Sequence, residues 1–232
     1  MLASFNNTNG SHPYAGVIMD ASGNLFGTTM NGGANGVGEV FELAKSGSNY
    51  SSTPTVMGSF TSSWGSYAEG GLVMDAAGNL FGTAFQGGAN GDGIVYELFK
   101  NGSTYGGPSF IATFGGTNGQ NPRGNLIVDA AGNLFGTTFD GGANGKGNVF
   151  EIAKSGSSYS GTPISLASFN GTNGWQPNNG LVMDSAGNLF GTTTAGGANG
   201  DGEVFEIAKT GGVYSSTPTV LVSFSGSNGN GP

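Results

Sequence analysis

Four aspartates recur along the chain at near-constant spacing, at Asp20, Asp75, Asp129 and Asp184. Carboxylates related by a repeat have two uses. Gathered about an axis, they would offer hard oxygen ligands to a divalent cation. Set in tight turns, each would accept hydrogen bonds from backbone N–H groups two or three residues on and need no metal. Each one opens the string Asp-x-x-Gly-Asn-Leu-Phe-Gly-Thr, whose first glycine supplies positive φ. Turn capping is therefore the expectation. A second string, Gly-Gly-Ala-Asn-Gly, starts at Gly32, Gly87, Gly141 and Gly196. It has the glycine spacing of calcium-loop repeats, in which carboxylates complete the ligand set. The position that would supply them reads Val37, Asp92, Lys146 and Asp201. Only Asp92 and Asp201 are metal candidates, and no resident cofactor is expected. No Lys-Ser/Thr pair follows the glycines, so the loop is not a phosphate cradle.

Catalytic chemistry has little to stand on. His12 is the single histidine and lies in a loop, with no Gly-x-Ser-x-Gly elbow to serve. Glu39, Glu69, Asp92, Asp140, Asp201 and Glu203 contain enough carboxylates for a glycosidic acid–base pair, but separation decides that chemistry and sequence does not give it. No catalytic residue is assigned, and the chain reads as non-enzymatic. Glu42, Glu97, Glu151 and Glu206 are each followed three residues later by Lys45, Lys100, Lys154 and Lys209, a spacing that suits solvated pairing or a backbone bond.

All these residues sit on a repeat. The aspartate strings are separated by 55, 54 and 55 residues, and every other landmark keeps that step. The 232 residues divide into units at approximately 14–68, 69–122, 123–177 and 178–232, forming one repeat domain. Within the second unit, Gly71–Asp75, Asn79–Thr83, Ile94–Leu98 and Phe110–Phe114 read as short strands, rich in β-branched and aromatic residues and bounded by Gly, Asn, Ser or Pro. The first two are almost continuously apolar, which predicts burial on both faces. The fold class expected is all-β: a four-bladed β-propeller built of four-stranded repeats, with an open stack of β repeats as the alternative.

Composition narrows the partners. Six Lys plus Arg against fourteen Asp plus Glu give a net charge of −8, which disfavours a nucleic-acid surface. Glycine is abundant at 48 residues, yet 36% apolar and 11% aromatic residues are too many for a disordered linker. No run approaches the ~18 apolar residues of a membrane span. Absent cysteine excludes disulfides without fixing the compartment.

The string Gly-Leu-Val-Met-Asp-Ala-Ala-Gly-Asn-Leu-Phe-Gly-Thr, followed by Gly-Gly-Ala-Asn-Gly-x-Gly-x-Val-Phe-Glu, resembles the GloVer-type tandem repeat of bacterial surface and secreted proteins. Its strand–Asp-x-x-Gly-Asn–strand core is also similar to the hairpin of NHL-type propeller blades. The resemblance covers all four units. It implies an extracellular or cell-surface bacterial protein with a structural role, and it carries over no catalytic residue. Members usually have an export signal and a surface anchor, neither of which stands in this sequence, so a mature or excised portion is expected.

Two features remain. Phe5, Phe60, Phe114, Phe169 and Phe224 form a five-member series over four units, so residues 1–13 repeat the position of 220–232. If the ring closes, the strands containing Leu2 and Phe5 and those containing Leu221 and Phe224 compete for one place, and the loser is an adhesive edge for strand exchange into rings or filaments. The first partner expected is thus another copy of the chain. Eight aromatics also fall outside the repeated series, among them Tyr14, Trp64, Tyr67 and Trp175 in the loops between units. Large amphipathic rings beside asparagines are candidates for binding glycans, with loop packing as the plainer alternative.

Overall fold

The computed structural model describes residues 1–232 and contains strands, turns and no helix. Each unit folds into its own antiparallel meander. In the first, Ile18–Met19, Leu25–Thr29, Glu39–Leu43 and Thr55–Ser59 lie side by side in that order. The second uses Val73–Met74, Leu80–Ala84, Ile94–Leu98 and Ser109–Thr113; the third Ile127–Val128, Leu134–Asp140, Asn148–Ile152 and Ile164–Ser168. The fourth uses Val182–Met183, Leu189–Thr193, Glu203–Ile207 and Thr219–Ser223. These four sheets are blades I to IV.

The Asp turns hold the inner strand to the second. Asp75 Oδ1 accepts from the backbone N–H groups of Ala77 and Asn79, both at 2.9 Å, and Oδ2 accepts from Asn79 Nδ2 at 3.0 Å. The same set recurs at Asp20, Asp129 and Asp184. At Asp184 these bonds, led by the one from Asn188, pull the carboxyl below its usual range. Asn79 Oδ1 then accepts from Lys100 N–H at 2.9 Å, tying the turn to the end of the third strand. The turn-capping expectation is met in every unit. Beyond the third strand each unit makes a small extra hairpin, such as Lys100–Asn101 with Thr104–Tyr105, too short to be read from periodicity.

Leu80–Ala84 is buried at every position, as expected of a strand covered on both faces, whereas the inner strands stay partly exposed. One covering layer comes from within the blade. A Cβ at Gly82 would meet Tyr96 at 2.4 Å, and one at Gly27 would meet Phe41 at 2.6 Å, so the glycine of Leu-Phe-Gly-Thr makes room for the aromatic ring of the third strand.

The second covering layer comes from the next blade. Phe26, Phe81 and Phe135 meet Tyr105, Tyr159 and Tyr214 of the following unit edge-on, with centroids at 5.4, 5.5 and 5.7 Å. Phe60, Phe114 and Phe169, at the end of each outer strand, meet Tyr96, Phe150 and Phe205 at 5.0, 4.9 and 4.9 Å. Thr28 Oγ1 donates across the seam to the Gly70 carbonyl at 3.0 Å, and Thr137 Oγ1 to that of Asn179 at 3.0 Å. Three buried clusters result, joining I to II, II to III and III to IV. No buried cluster or aromatic pair joins IV to I. The blades follow one another as in a propeller, and the last seam is open.

That opening corrects the expectation that the two tails compete within one molecule. Each blade is complete from contiguous residues, so no terminal strand is needed to close it. Leu221 lies in Thr219–Ser223, paired to Glu203–Ile207 as the outer strand of blade IV. Leu2 and Phe5 form no strand; Leu2 is exposed, and Phe5 stacks edge-on against Phe41 at 5.0 Å, on blade I. The two tails thus occupy different places: the carboxyl-terminal strand completes blade IV, and the amino-terminal segment lies against the face of blade I.

Two local conflicts generate predictions. Tyr96 stands where the other units have Phe41, Phe150 and Phe205, and its hydroxyl is buried with no hydrogen-bond partner. An unmet buried polar group costs ~1–3 kcal/mol, so Tyr96→Phe is expected to raise unfolding stability by about 1 kcal/mol in urea titrations. A destabilised Tyr96→Phe would show that the hydroxyl has a partner. Glu39 is fully buried; Ser59 Oγ donates to its Oε2 at 3.3 Å, while Oε1 has no partner. Burial raises its pKa, partly offset by the Ser59 bond. A carboxyl raised in the folded state favours folding below its unfolded pKa, and that contribution disappears as pH rises through the folded value. The thermal midpoint should fall from pH 4 to pH 7 in the native chain and fall less in Glu39→Gln; equal slopes would contradict the assignment.

Candidate functional site

Two places in the fold offer unspent chemistry: the axis about which the blades are arranged, and the uncovered face of blade IV.

The axial site is built by strained backbone. His12, Tyr67, Asn121 and Gln176 occupy the same position in their units, just before the inner strand, and have φ of 57°, 58°, 57° and 55°. Non-glycine residues in this left-handed region cost roughly 1–2 kcal/mol each. The cost is offset where the N–H of Tyr67, Asn121 and Gln176 donates to the carbonyl of Val37, Asp92 and Lys146 in the preceding unit, at 3.1, 2.7 and 3.1 Å. Two residues further on, the chain reaches Tyr14, Glu69, Arg123 and Asn178, which line an open cavity of about 380 Å³ with contributions from all four units.

Arg123 is held flat in this cavity. Its guanidinium carbon lies 4.6 Å from the centroid of Phe85, in the preceding blade, and 4.2 Å from that of Phe139, in its own. Its Nε is 3.4 Å from Glu69 Oε2 and makes no hydrogen bond. Asn125, whose Oδ1 accepts from Gly71 N–H at 2.6 Å, and Asn179 add amides to the wall. Tyr14 is 69% exposed, with its ring beside His12 at 5.9 Å.

Of the four aromatic loop candidates, only Tyr14 lines this cavity. Trp64 turns inward, stacked on Phe60 at 5.7 Å and tilted against Tyr96 and Phe110, both at 6.3 Å. Trp175 is covered by Lys146, whose Nζ sits 3.6 Å from the ring centroid, and its indole N–H is buried. Tyr67 is half-buried at its strained position. The two tryptophans are not even equivalent: Trp64 aligns with the asparagines Asn118 and Asn173, which cap their loops, and Trp175 with Ser66 and Gln120. Arg123 is not among the candidates the sequence offers. What marks it is the pair of phenylalanines one strand away, a relation visible only once Leu80–Ala84 and Leu134–Asp140 are adjacent.

Of the two acidic metal candidates, Asp92 is engaged in structure through its carboxylate and Asp201 only through its backbone. Asp92 accepts from Gln120 Nε2 at 2.9 Å and from Gly116 N–H at 3.2 Å, while Asp201 lends its backbone carbonyl to Gly231 N–H at 2.9 Å. Ser223 donates to Glu203 at 2.9 Å as Ser59 does to Glu39, one pair in blade IV and one in blade I. Nowhere do three His, Asp or Glu side chains converge on one point. The Glu–Lys series forms no ion pairs within a unit. Lys154 instead reaches back to Asp75 of the preceding blade at 3.8 Å, and Lys100, Lys154 and Lys209 lie over Tyr105, Tyr159 and Tyr214. Burial raises Glu97, which Asp75 raises further and Lys154 lowers, a balance set across the seam.

The second place is the outward face of blade IV. Phe190 and Val204 are partly exposed, although Phe26, Phe81, Phe135, Val40, Val95 and Val149 at the same positions are wholly buried. Val222 is 46% exposed against 1% for Ala112 and 2% for Ala167. Phe224 ends this face with no aromatic partner, though Asn199 Nδ2 donates to its carbonyl at 2.9 Å as Asn35, Asn90 and Asn144 do to Phe60, Phe114 and Phe169. The loop beyond Phe224 is closed in the same way as its counterparts, with Asn228 Oδ1 accepting from Ser225 N–H at 2.8 Å. The segment after Phe5 repeats the motif with Asn9 and Asn6.

Comparison with known structures agrees with this architecture. A protein of unknown function from Dyadobacter fermentans superposes with a TM-score of 0.59 at 13% identity, over 97% of this chain and 72% of that one. A gluconolactonase from Xanthomonas campestris gives 0.52 at 14% identity, over 92% and 66%, and a luciferin-regenerating enzyme 0.50 at 15%, over 90% and 64%. At such identities the likeness is one of fold. The chain spans between 64% and 72% of the length of these three, so nearly all of it lies on part of a larger body. No curated protein matches it in sequence. The repeat described as the Gloeobacter/Verrucomicrobia repeat matches residues 1–106 and again 77–232, and together these spans cover every unit: the chain belongs to that repeat family.

Proposed function

We propose that this chain is a non-enzymatic, extracellular structural repeat that assembles head to tail, the outward face of blade IV packing against blade I of a second copy. The observation that carries this reading is the exposure of Phe190 and Val204 at positions that the preceding blades bury completely, and of Val222 where blades II and III bury Ala112 and Ala167. Blade I offers the matching surface. Leu25, Phe41, Leu43 and Tyr50 are the counterparts of Leu80, Tyr96, Leu98 and Tyr105, which receive blade I at the first seam. Each new joint would repeat a seam the chain already makes three times.

Charge supports the pairing. At the internal seam between blades II and III a Lys of the following blade faces the Asp and Glu of the preceding one, as Lys154 faces Asp75 and Glu97. Blade IV presents Asp184 and Glu206, and blade I presents Lys45. In the single chain the joint is occupied by the amino-terminal segment, with Ala3 packed on blade I and Phe5 on Phe41, where the incoming Phe224 belongs. Strand exchange thus takes a specific form: residues 224–232 of one copy replace residues 5–13 of the next. A contact of this kind, joining unlike surfaces, closes into a ring or runs on as a filament. An arrangement with little charge and abundant Gly, Ser, Thr and Asn suits a surface or matrix setting.

Sedimentation of the purified chain over a concentration series should show species at multiples of 23.0 kDa. Phe190→Asp should leave only monomer with an unchanged β-sheet circular dichroism spectrum, and removal of residues 1–5 should shift assembly to lower concentration by freeing Phe41. A native chain that stays monomeric to about 1 mM, or a Phe190→Asp chain that assembles as before, contradicts the proposal.

A further inference from the structure

We propose that the axial cavity is a binding site for a neutral saccharide, with Tyr14 as the stacking platform and Glu69, Arg123 and Asn178 as the groups that read its hydroxyls. The site is read in the single chain, in which residues 5–13, and with them His12 and Tyr14, keep their places.

Comparison among the units points first to the cavity. The aspartate turns, the Leu-Phe-Gly-Thr strands and the Gly-Gly-Ala-Asn-Gly loops recur almost unchanged, because each serves the fold of its own blade. The axial position reads Tyr14, Glu69, Arg123 and Asn178, four different chemistries at one structural site. Each unit maintains a strained left-handed residue two positions earlier to deliver that side chain. Fold alone gives no reason for such diversity, and strain retained in all four units is a mark of function.

The lining then selects the ligand class. About 380 Å³ falls within the ~300–1,000 Å³ of small-molecule sites, but only two of the ten lining residues are hydrophobic, which turns away apolar ligands. Glu69 beside Arg123 at 3.4 Å repels an anion, and Arg123 repels a cation. A net charge of −8 adds to the disadvantage of an acidic polymer. What remains is a neutral ligand that both donates and accepts. Adjacent hydroxyls on a sugar ring do this: one donates to the Glu69 carboxylate while another accepts from the Arg123 guanidinium or the amide of Asn178. The two phenylalanine faces fix the guanidinium plane before the ligand arrives, so less side-chain entropy is lost on binding. Tyr14, exposed at the cavity rim, offers its ring to the C–H face of the sugar and its hydroxyl to water or to the ligand.

The test titrates the 232-residue chain, and separately the Phe190→Asp monomer, with cellotetraose, laminaritetraose, xylotetraose, arabinotetraose and, as the anionic comparison, tetragalacturonate. Calorimetry or saturation-transfer NMR reads binding. At least one neutral tetraose should bind both proteins, and tetragalacturonate more weakly. Tyr14→Ala and Asn178→Ala, neither of which touches a seam, should each weaken binding by about tenfold without moving the thermal midpoint. Arg123→Lys, which keeps the charge and loses the planar fork, should weaken it similarly. The proposal is overturned if no neutral tetraose binds at about 10 mM, if tetragalacturonate binds best, or if Tyr14→Ala and Asn178→Ala both bind as the native chain does. Because the Phe190→Asp monomer is titrated alongside, failure of the site and failure of assembly are read separately.

Discussion

A thin sheet that is apolar on both faces has to be covered twice. In this chain the third-strand aromatic and the second-strand phenylalanine face opposite ways from each blade, and a blade has no helix with which to hide either. Its neighbour is the only cover. The seam of Phe26 on Tyr105 and Phe60 on Tyr96, repeated at II–III and III–IV, follows from that requirement. So does the state of the two ends. Blade I is partly covered by Phe5, and blade IV leaves Phe190, Val204 and Val222 in water. Burying a side chain of this size is worth ~1.5–3 kcal/mol, which the proposed joint with a second copy would recover for each of them.

The repeat divides its residues between two tasks. Asp, Gly and Asn of the turn, glycine under the aromatic ring, and the phenylalanines of the seam keep every blade alike. The short run from the left-handed residue to the inner strand is where the units differ, and there the differences converge on the axis. Lys146 over Trp175 and Arg123 between Phe85 and Phe139 show the same economy at this end of the blades: cations in a chain with only six of them are held against aromatic faces and not spread over the surface. The relatives of known structure share the blade arrangement, and nothing about their chemistry is needed to explain it.

Much of this fold is local, and what is local could be read from sequence. Asp75 bonds to residues two and four places on, and Leu80–Ala84 pairs with a strand ten residues away, so the turn, the strands and the four-stranded blade all followed from spacing. What depended on distant parts of the chain was not legible. Trp64 has the composition of a binding residue and the environment of a core residue, because Tyr96 and Phe110 are brought to it from the next unit. Arg123 became a site residue only when two strands placed phenylalanines on either side of it. Closure of the ring was inferred from counting units, but count does not set the angle between neighbours. The rivalry of the two tails, which assumed closure, gave way to separate seats, one completing blade IV and the other lying on the face of blade I.

In the single chain the seam between blade IV and blade I is open. Because the protein has no cysteine, thiols can be placed singly at Val40, Val95, Val149 and Val204, which are equivalent by repeat. Their labelling rates by a small maleimide, in a solution dilute enough to hold the chain monomeric, read the four faces one at a time. Labelling should be rapid at position 204, with strong protection at 40, 95 and 149. Protection at 204 equal to that of the other three would mean that blade IV is covered within its own molecule.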